Sequence, residues 1–323
     1  MITNATPLTP ILLPLVDTHA HINLDPFDSD LEDLIARSRA GQFPEMKGRQ
    51  IGADPVAQPF VSGLICPAVD LETSLRALAI AKKHPFVFAA AGAHPNHISL
   101  LKPGEWDEIC QLIEKETRPG SASGKLVALG ETGLDRYWDK SPFELQQKYF
   151  LQTLEQGRRT KLPVIIHSRD ANDDLDRILC DFYSDERPDW NVGVVHSFSG
   201  TPEQAERWLE LGFYLGFGGL VTYKSRSVSD IWEAARLAPA DRILLETDCP
   251  FLTPHPARGK IDRNEPILTT FVAKRLAELR GVSAREVALQ TAKNAAALFK
   301  LPPLPELPEE VKEESRSASK ARS

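Results

Sequence analysis

The chain has 323 residues, of which 42% are hydrophobic and 26% charged, enough apolar content for a large packed core and too much for global disorder. Its formal charge of −7 at pH 7 excludes a broad basic surface that would coat a nucleic acid, though not an enzyme that grips one or two phosphates locally. The four cysteines, at 66, 110, 180 and 249, lack CxxC spacing, so they suggest neither a disulfide framework nor a cysteine zinc site and read as reduced thiols of a cytoplasmic protein.

The N-terminal stretch MITNATPLTPILLPLVD lacks the basic start of a signal peptide, and Pro14 and Asp17 break its apolar run. No stretch approaches the roughly 18 apolar residues of a transmembrane helix. Short apolar runs then recur at 12–16, 60–66, 86–91, 126–130, 164–166, 192–195, 213–217 and 243–245. Runs this short and continuous suit strands buried on both faces of a parallel sheet. Between and after them lie helical patterns at about 29–40, 72–83, 103–117, 142–160, 171–182, 202–211, 227–238 and 265–280. Thr201-Pro202-Glu203 and Ser141-Pro142 each put proline at a first helical position. Eight strand–helix units predict an α/β fold, a (β/α)8 TIM barrel with eight parallel strands, within residues 1–300. An open doubly wound sheet is the alternative, because periodicity does not show closure. Residues 41–59, rich in Gly and Pro and without periodicity, read as an inserted surface loop. Residues 301–323 read as a Pro-rich, then charged, disordered tail.

Reactive groups in such barrels sit where strands end and βα loops begin. Those positions carry Asp17-Thr18-His19-Ala20-His21, Gly92-Ala93-His94-Pro95, Gly130-Glu131, His167-Ser168-Arg169, His196-Ser197 and Glu246-Thr247-Asp248. Five of the eight histidines fall there. His19 and His21 are two apart on an extended segment, so both imidazoles can face one metal. With Glu131, His167, His196 and Asp248 they make four imidazoles and two carboxylates, a donor set suited to zinc, manganese or a similar ion. The set is large enough for two ions if one carboxylate bridges, the usual equipment for cleaving phosphate esters. Buried ionised carboxylates at strand ends are costly unless paired or metal-bound, which favours ligation for Glu131 and Asp248 over a merely satisfied carboxyl.

The strings DTHAH (17–21), GAHP (92–95), GETGLD (130–135), IIHSRDA (165–171), VHSFSG (195–200), ETDCPFLTP (246–254) and RNEP (263–266) together resemble the TatD family of metal-dependent deoxyribonucleases, among the amidohydrolase-like barrels. The resemblance spans about 17 to 300. It implies a (β/α)8 barrel, two divalent ions (Mg, Mn or Zn), and hydrolysis of phosphodiesters at DNA ends or in single strands, often as a 3′–5′ exonuclease. It further implies His19, His21 and Asp248 as ligands of a first metal, His167 and His196 of a second, and Glu131 as the bridge. Asp248 and Glu131 are then the catalytic carboxylates, Asp248 also taking a proton from the attacking water. The resemblance places His94 near the substrate phosphate. Arg169 and Arg263 are the leading cationic contacts to phosphate, ahead of Arg258, Lys224 and Lys260. No membrane and no obligate protein partner are expected. Residues 41–59 and 255–263 are longer than the family's usual connections, and both are expected where substrate enters.

Competing readings are a barrel hydrolase of a C–N or carboxylic ester bond, and an inactive barrel serving as a binding module. Cys249 has no adjacent histidine to activate it, and Ser197 and Ser199 lie in no GxSxG elbow, so neither covalent route is favoured. Tyr137 and Trp138 suit either stacking on a base or core packing.

Overall fold

The computed structural model describes residues 11–303 apart from 48, 51–56, 119, 121–122, 139 and 185–189. The expected tail beyond 303 lies outside the described residues. Each apolar run becomes a strand because a fully buried backbone must pair its polar groups, and neighbouring strands supply the partners. In chain order the elements are β1 (Ile11–Asp17), α1 (Leu31–Ala40), β2 (Glu45–Met46), β3 (Arg49–Gln50), β4 (Ala57–Cys66), α2 (Leu71–Lys83), β5 (Val87–Ala91), α3 (Glu105–Thr117), β6 (Leu126–Asp135) and α4 (Phe143–Thr160). They continue with β7 (Val164–Arg169), α5 (Asn172–Phe182), β8 (Gly193–Val195), α6 (Pro202–Glu210), β9 (Tyr214–Phe217), α7 (Ser229–Leu237), β10 (Ile243–Leu245), α8 (Thr269–Arg280) and α9 (Ala284–Phe299).

Eight strands pair in parallel in the order β1-β4-β5-β6-β7-β8-β9-β10, with helices between them in sequence. The seam between β10 and β1 is closed by hydrogen bonds at and just past the strand ends. Thr18 N–H donates to Leu245 O (2.9 Å), and the Asp17 carboxylate accepts from Thr247 N (3.0 Å) and Oγ1 (2.6 Å). This is the expected TIM barrel, nearly closed, rather than the open sheet. Every barrel strand sends a side chain to the interior, among them Val16, Ile65, Phe88, Ile165, Val194 and Leu244. A second apolar layer lies between the strands and their helices.

Three features depart from expectation. The helix α9 went unread, yet its Ala295, Leu298 and Phe299 pack against the inward residues of the strands. They close one end of the barrel, each large side chain contributing about 1.5–3 kcal/mol by burial. The described residues of 41–59 are not a featureless loop. They hold the antiparallel β2–β3 pair, and β4 begins at Ala57. They adjoin the end of α1 and the start of β4, the end of the barrel opposite the strand C-termini. Finally, α4 starts at Phe143 with Pro142 as its N-cap residue, one place later than read. Thr201 caps α6 in a reciprocal box with Gln204, and Pro202 is its first residue, as expected.

Candidate metal centre

Glu131 is the hub. It lies where the β6–β7 register shifts, between Leu129 and Thr132. Such irregularities re-aim side chains next to functional sites. Its N–H donates to Ala68 O (2.7 Å) instead of continuing the ladder. At Gly130 φ is +133°, and a Cβ there would crowd Ile165 O at 2.7 Å, so glycine is required to bring the hub in.

On one side of Glu131, Oε2 lies 3.2 Å from His19 Nε2 and 3.2 Å from His21 Nε2, which are 3.0 Å from each other. Asp248 Oδ1 lies 3.7 Å and 3.6 Å from the same two nitrogens. Donors held about 2.0–2.2 Å from a zinc-like ion stand about 3.3–3.6 Å apart at tetrahedral corners. The observed spacings bracket that edge. The two imidazole nitrogens at 3.0 Å form a hydrogen bond when one carries a proton, and can share one ion when neither does. On the other side, Oε1 lies 2.9 Å from His167 Nδ1, 3.7 Å from His94 Nε2 and 3.9 Å from His196 Nε2. His196 Nε2 is also 3.8 Å from Asp248 Oδ1. The other five expected ligands therefore surround the Glu131 carboxylate, in three overlapping groups that could each hold an ion: His19–His21–Asp248, His19–Glu131–His196 and His94–Glu131–His167. The donor chemistry and spacing fit divalent ions.

Two carboxylates that sequence reading assigned no role orient the second set. Asp135 Oδ2 lies 3.0 Å from His167 Nε2 and accepts from Asn96 Nδ2 (2.8 Å). Glu246 Oε1 lies 3.0 Å from His196 Nδ1 and accepts from Ser197 N–H. A carboxylate behind a ligand histidine fixes its tautomer and ring angle. Both lay inside recognised strings, but a carboxyl behind a ligand has no spacing rule that announces it. Gly216 makes room for Glu246, since a Cβ there would overlap its carboxylate. Asp248 itself has φ +58° and Ser197 φ +45°, the left-handed region that Asp tolerates better than most residues and that clusters at functional sites.

Electrostatics follow from burial and crowding. Burial, helped by His196, holds the His19 imidazole well below its ordinary range. Burial alone would raise the Glu131 carboxyl, but His19, His94 and His167 together hold it well below the usual carboxylate range. Burial opposes charge on His196, yet Glu246 and Asp248 outweigh it and push the ring up to about 10; Asp135 and Glu131 push His167 to about 9 against the same burial. Burial raises Asp248 to about 6 despite His196 and His21. His94 is held well below its ordinary range by burial first and His167 second, so it is neutral. Its Nδ1 accepts Asn96 N–H (3.1 Å), which leaves the proton on Nε2. In that tautomer His94 Nε2 can donate a hydrogen bond into the site, and the same ring also stands in the candidate metal group with Glu131 and His167.

A cavity of about 590 Å³ opens over the cluster, lined by His94, Glu131, His167, Asp248, Arg169 and Trp138 among others. Arg263 is not brought there. Its guanidinium bonds Asp30 and Pro26 O and stacks 4.5 Å over Phe27. Asp30 and Glu265 also bind Arg37, the latter through both carboxylate oxygens (2.8 and 2.9 Å). The Arg263 guanidinium joins Arg37 in an ionic network around Asp30 and Glu265 instead of reaching the cavity. Its neighbour Asn264 ties the Asp248 loop, donating to Thr247 O (2.8 Å) and Phe251 O (2.7 Å). Arg258 lies over Tyr223, 4.1 Å from the ring centre, and is not among the cavity residues. Cys249 is buried, which pushes its thiol well above the ordinary range and denies it a nucleophile's role. Tyr137 and Trp138 are exposed at the cavity, so they do not pack in the core.

A nearly closed parallel barrel with clustered histidines and acids at its strand ends is the architecture of a metal-dependent hydrolase. Residues 16–300 match the model of the TatD related DNase family, and the chain belongs to that family. It is 37% identical over 287 residues to YabD of Bacillus subtilis (strain 168), described as an uncharacterized metal-dependent hydrolase, covering 89% of this chain and 99% of that one. It is 35% identical over 245 residues to the 3′-5′ ssDNA/RNA exonuclease TatD of Erwinia tasmaniensis, covering 75% and 89% respectively. The crystal structure of YjjV, a TatD homologue from Escherichia coli K12, superposes with a TM-score of 0.74 at 32% identity over 89% of this chain and 98% of that one. This chain is thus a metal-dependent hydrolase. Among the described residues no helix is long and apolar enough to cross a membrane.

Proposed function

We propose that the protein hydrolyses DNA phosphodiester bonds at strand ends as a 3′–5′ exodeoxyribonuclease that uses two divalent ions. The observation that supports this reading is that Glu131 turns one carboxylate oxygen toward His19 and His21 and the other toward His167 and His196. His19, His21, Asp248 and Glu131 Oε2 would hold one ion; Glu131 Oε1, His167 and His196 would hold the other. When bound, such ions neutralise the phosphate and lower the pKa of water toward about 7. The name of the Erwinia relative supports a nucleic-acid substrate.

The remaining roles belong to side chains. Asp248 is 14% exposed against 3% for Glu131, so it is the cluster carboxylate that a water in the cavity reaches, and it accepts that water's proton. His94 Nε2–H donates to a non-bridging phosphate oxygen. Arg169, exposed at the rim, meets the next phosphate along the strand. So few cationic contacts on an acidic chain give a shallow salt dependence of binding.

The test is turnover of 5′-labelled single-stranded DNA by freshly purified protein, alongside amide and lactone panels. Stepwise shortening from the 3′ end, lost with EDTA and restored by a divalent ion, is expected, and Asp248→Asn should lose nearly all of it. Turnover of lactones or amides without DNA cleavage would move the reading to carbonyl hydrolysis. Absence of both bound metal and activity would leave a binding module.

A further inference from the structure

Tyr137, Trp138 and Phe251 are 54%, 59% and 53% exposed, and among the described residues they are the aromatic side chains most open to solvent. All three line the one cavity above Glu131. Scattered exposed apolar residues need no explanation, but three aromatic rings converging on a polar cavity do. Each ring of the adjacent pair also carries a cation: Arg169 lies 4.7 Å from the Tyr137 ring centre, and Lys140 lies 5.4 Å from that of Trp138.

The pair is held firmly. Asp135 Oδ1 accepts both Tyr137 N–H and Trp138 N–H at 2.9 Å, while its Oδ2 contacts His167. One carboxylate therefore sets the position of the aromatic segment relative to the metal centre. The two rings meet edge to face, 5.0 Å apart at 87°, which leaves ring faces for a further planar partner.

We propose that Tyr137 and Trp138 form a stacking platform for the nucleobase next to the scissile phosphate, and so are specificity-determining residues. The inference rests on the phosphodiesterase reading above. A flat, uncharged heterocycle fits the ring faces, while Arg169 and Lys140 meet the phosphates on either side of it. Only an unpaired base can turn onto such a rim, and stacking tolerates any base identity. Asp135 makes the register between base and metal centre fixed rather than adaptable.

The experiment compares an ordinary single-stranded oligonucleotide with one whose two residues at each end are abasic, using the metal-loaded enzyme. Wild type should lose roughly 5- to 100-fold in kcat/KM on the abasic strand. Trp138→Ala should show the same loss on the ordinary strand, carried mainly by KM, with no further loss on the abasic one and unchanged metal content. Trp138→Phe should recover part of it. A nuclease-resistant phosphorothioate oligonucleotide should quench tryptophan fluorescence in wild type and much less in Trp138→Phe. If Trp138→Ala and Tyr137→Ala cleave DNA with the wild-type ratio of ordinary to abasic rates, the platform is overturned and the nuclease reading stands. If no nucleic acid is cleaved, the nuclease reading fails on its own. The quench then decides the platform: its dependence on Trp138 supports it, and its absence overturns it.

Discussion

The histidines and Asp248 on the two sides of Glu131 are held in place by different means. His19, His21 and Asp248 are fixed by main chain: Asp248 N–H donates to His19 O (2.8 Å) and His21 N–H to Cys249 O (2.9 Å), lacing the first and last strands together. His167 and His196 are held by main chain too, His196 N–H donating to Ile166 O (2.9 Å), but their rings also stand 3.0 Å from the carboxylates of Asp135 and Glu246. A main-chain lattice is written into the fold and survives most single substitutions. A carboxylate brace is one residue deep, so the second donor set is the more easily loosened.

The harshest way to break the comparison is to remove what the two sides share. Glu131→Ala should abolish metal loading on both sides and cost about 10³-fold or more in kcat, with the circular dichroism of the barrel retained. Retention of both ions in that variant would disprove its place as the hub. Bracing is tested next. Asp135→Asn and Glu246→Gln should weaken one class of metal site by about 10–100-fold while leaving the other, read by titration calorimetry. Equal weakening of both classes would erase the distinction drawn here. On the main-chain side, Asn264→Ala strips two carbonyls of their buried partner. It should lower stability by about 1–3 kcal/mol in urea denaturation with metal affinity nearly kept.

The smallest effect lies away from both sides. Asp70 caps α2 through Thr73 N–H and contacts His97; burial raises its carboxyl, but these partners outweigh it and bring it down to about 2. A depressed carboxyl contributes stability above its unfolded value near 3.8 and loses it as pH falls toward 2. Asp70→Asn should therefore cost about 0.5–2 kcal/mol at pH 6 and progressively less below pH 4. A penalty that stays constant to pH 3 would show that charge plays no part.

Much of this was legible without coordinates. The eight apolar runs became the eight barrel strands, because burial on both faces leaves a local signature in every residue of a run. His19 and His21 were legible as a pair, since alternation along an extended segment is also local. The expected helices end at 280, although Ser283 and Glu286 spell the capping box of α9 in the sequence itself. Arg263 was misplaced because a cation in a recognised string is equally suited to a phosphate or to acids such as Asp30, which stand 233 residues away in sequence.

The residues alone determined the donor chemistry: four imidazoles and two carboxyls at strand ends, in a chain too acidic to coat nucleic acid. Tertiary structure alone decided that Glu131 turns its two oxygens to different histidines and that Asp135 and Glu246 stand behind His167 and His196. The reason is one of length scale. A strand's pattern repeats within a few residues, whereas a ligand sphere about 2 Å in radius depends on the register and closure of strands far apart in the chain.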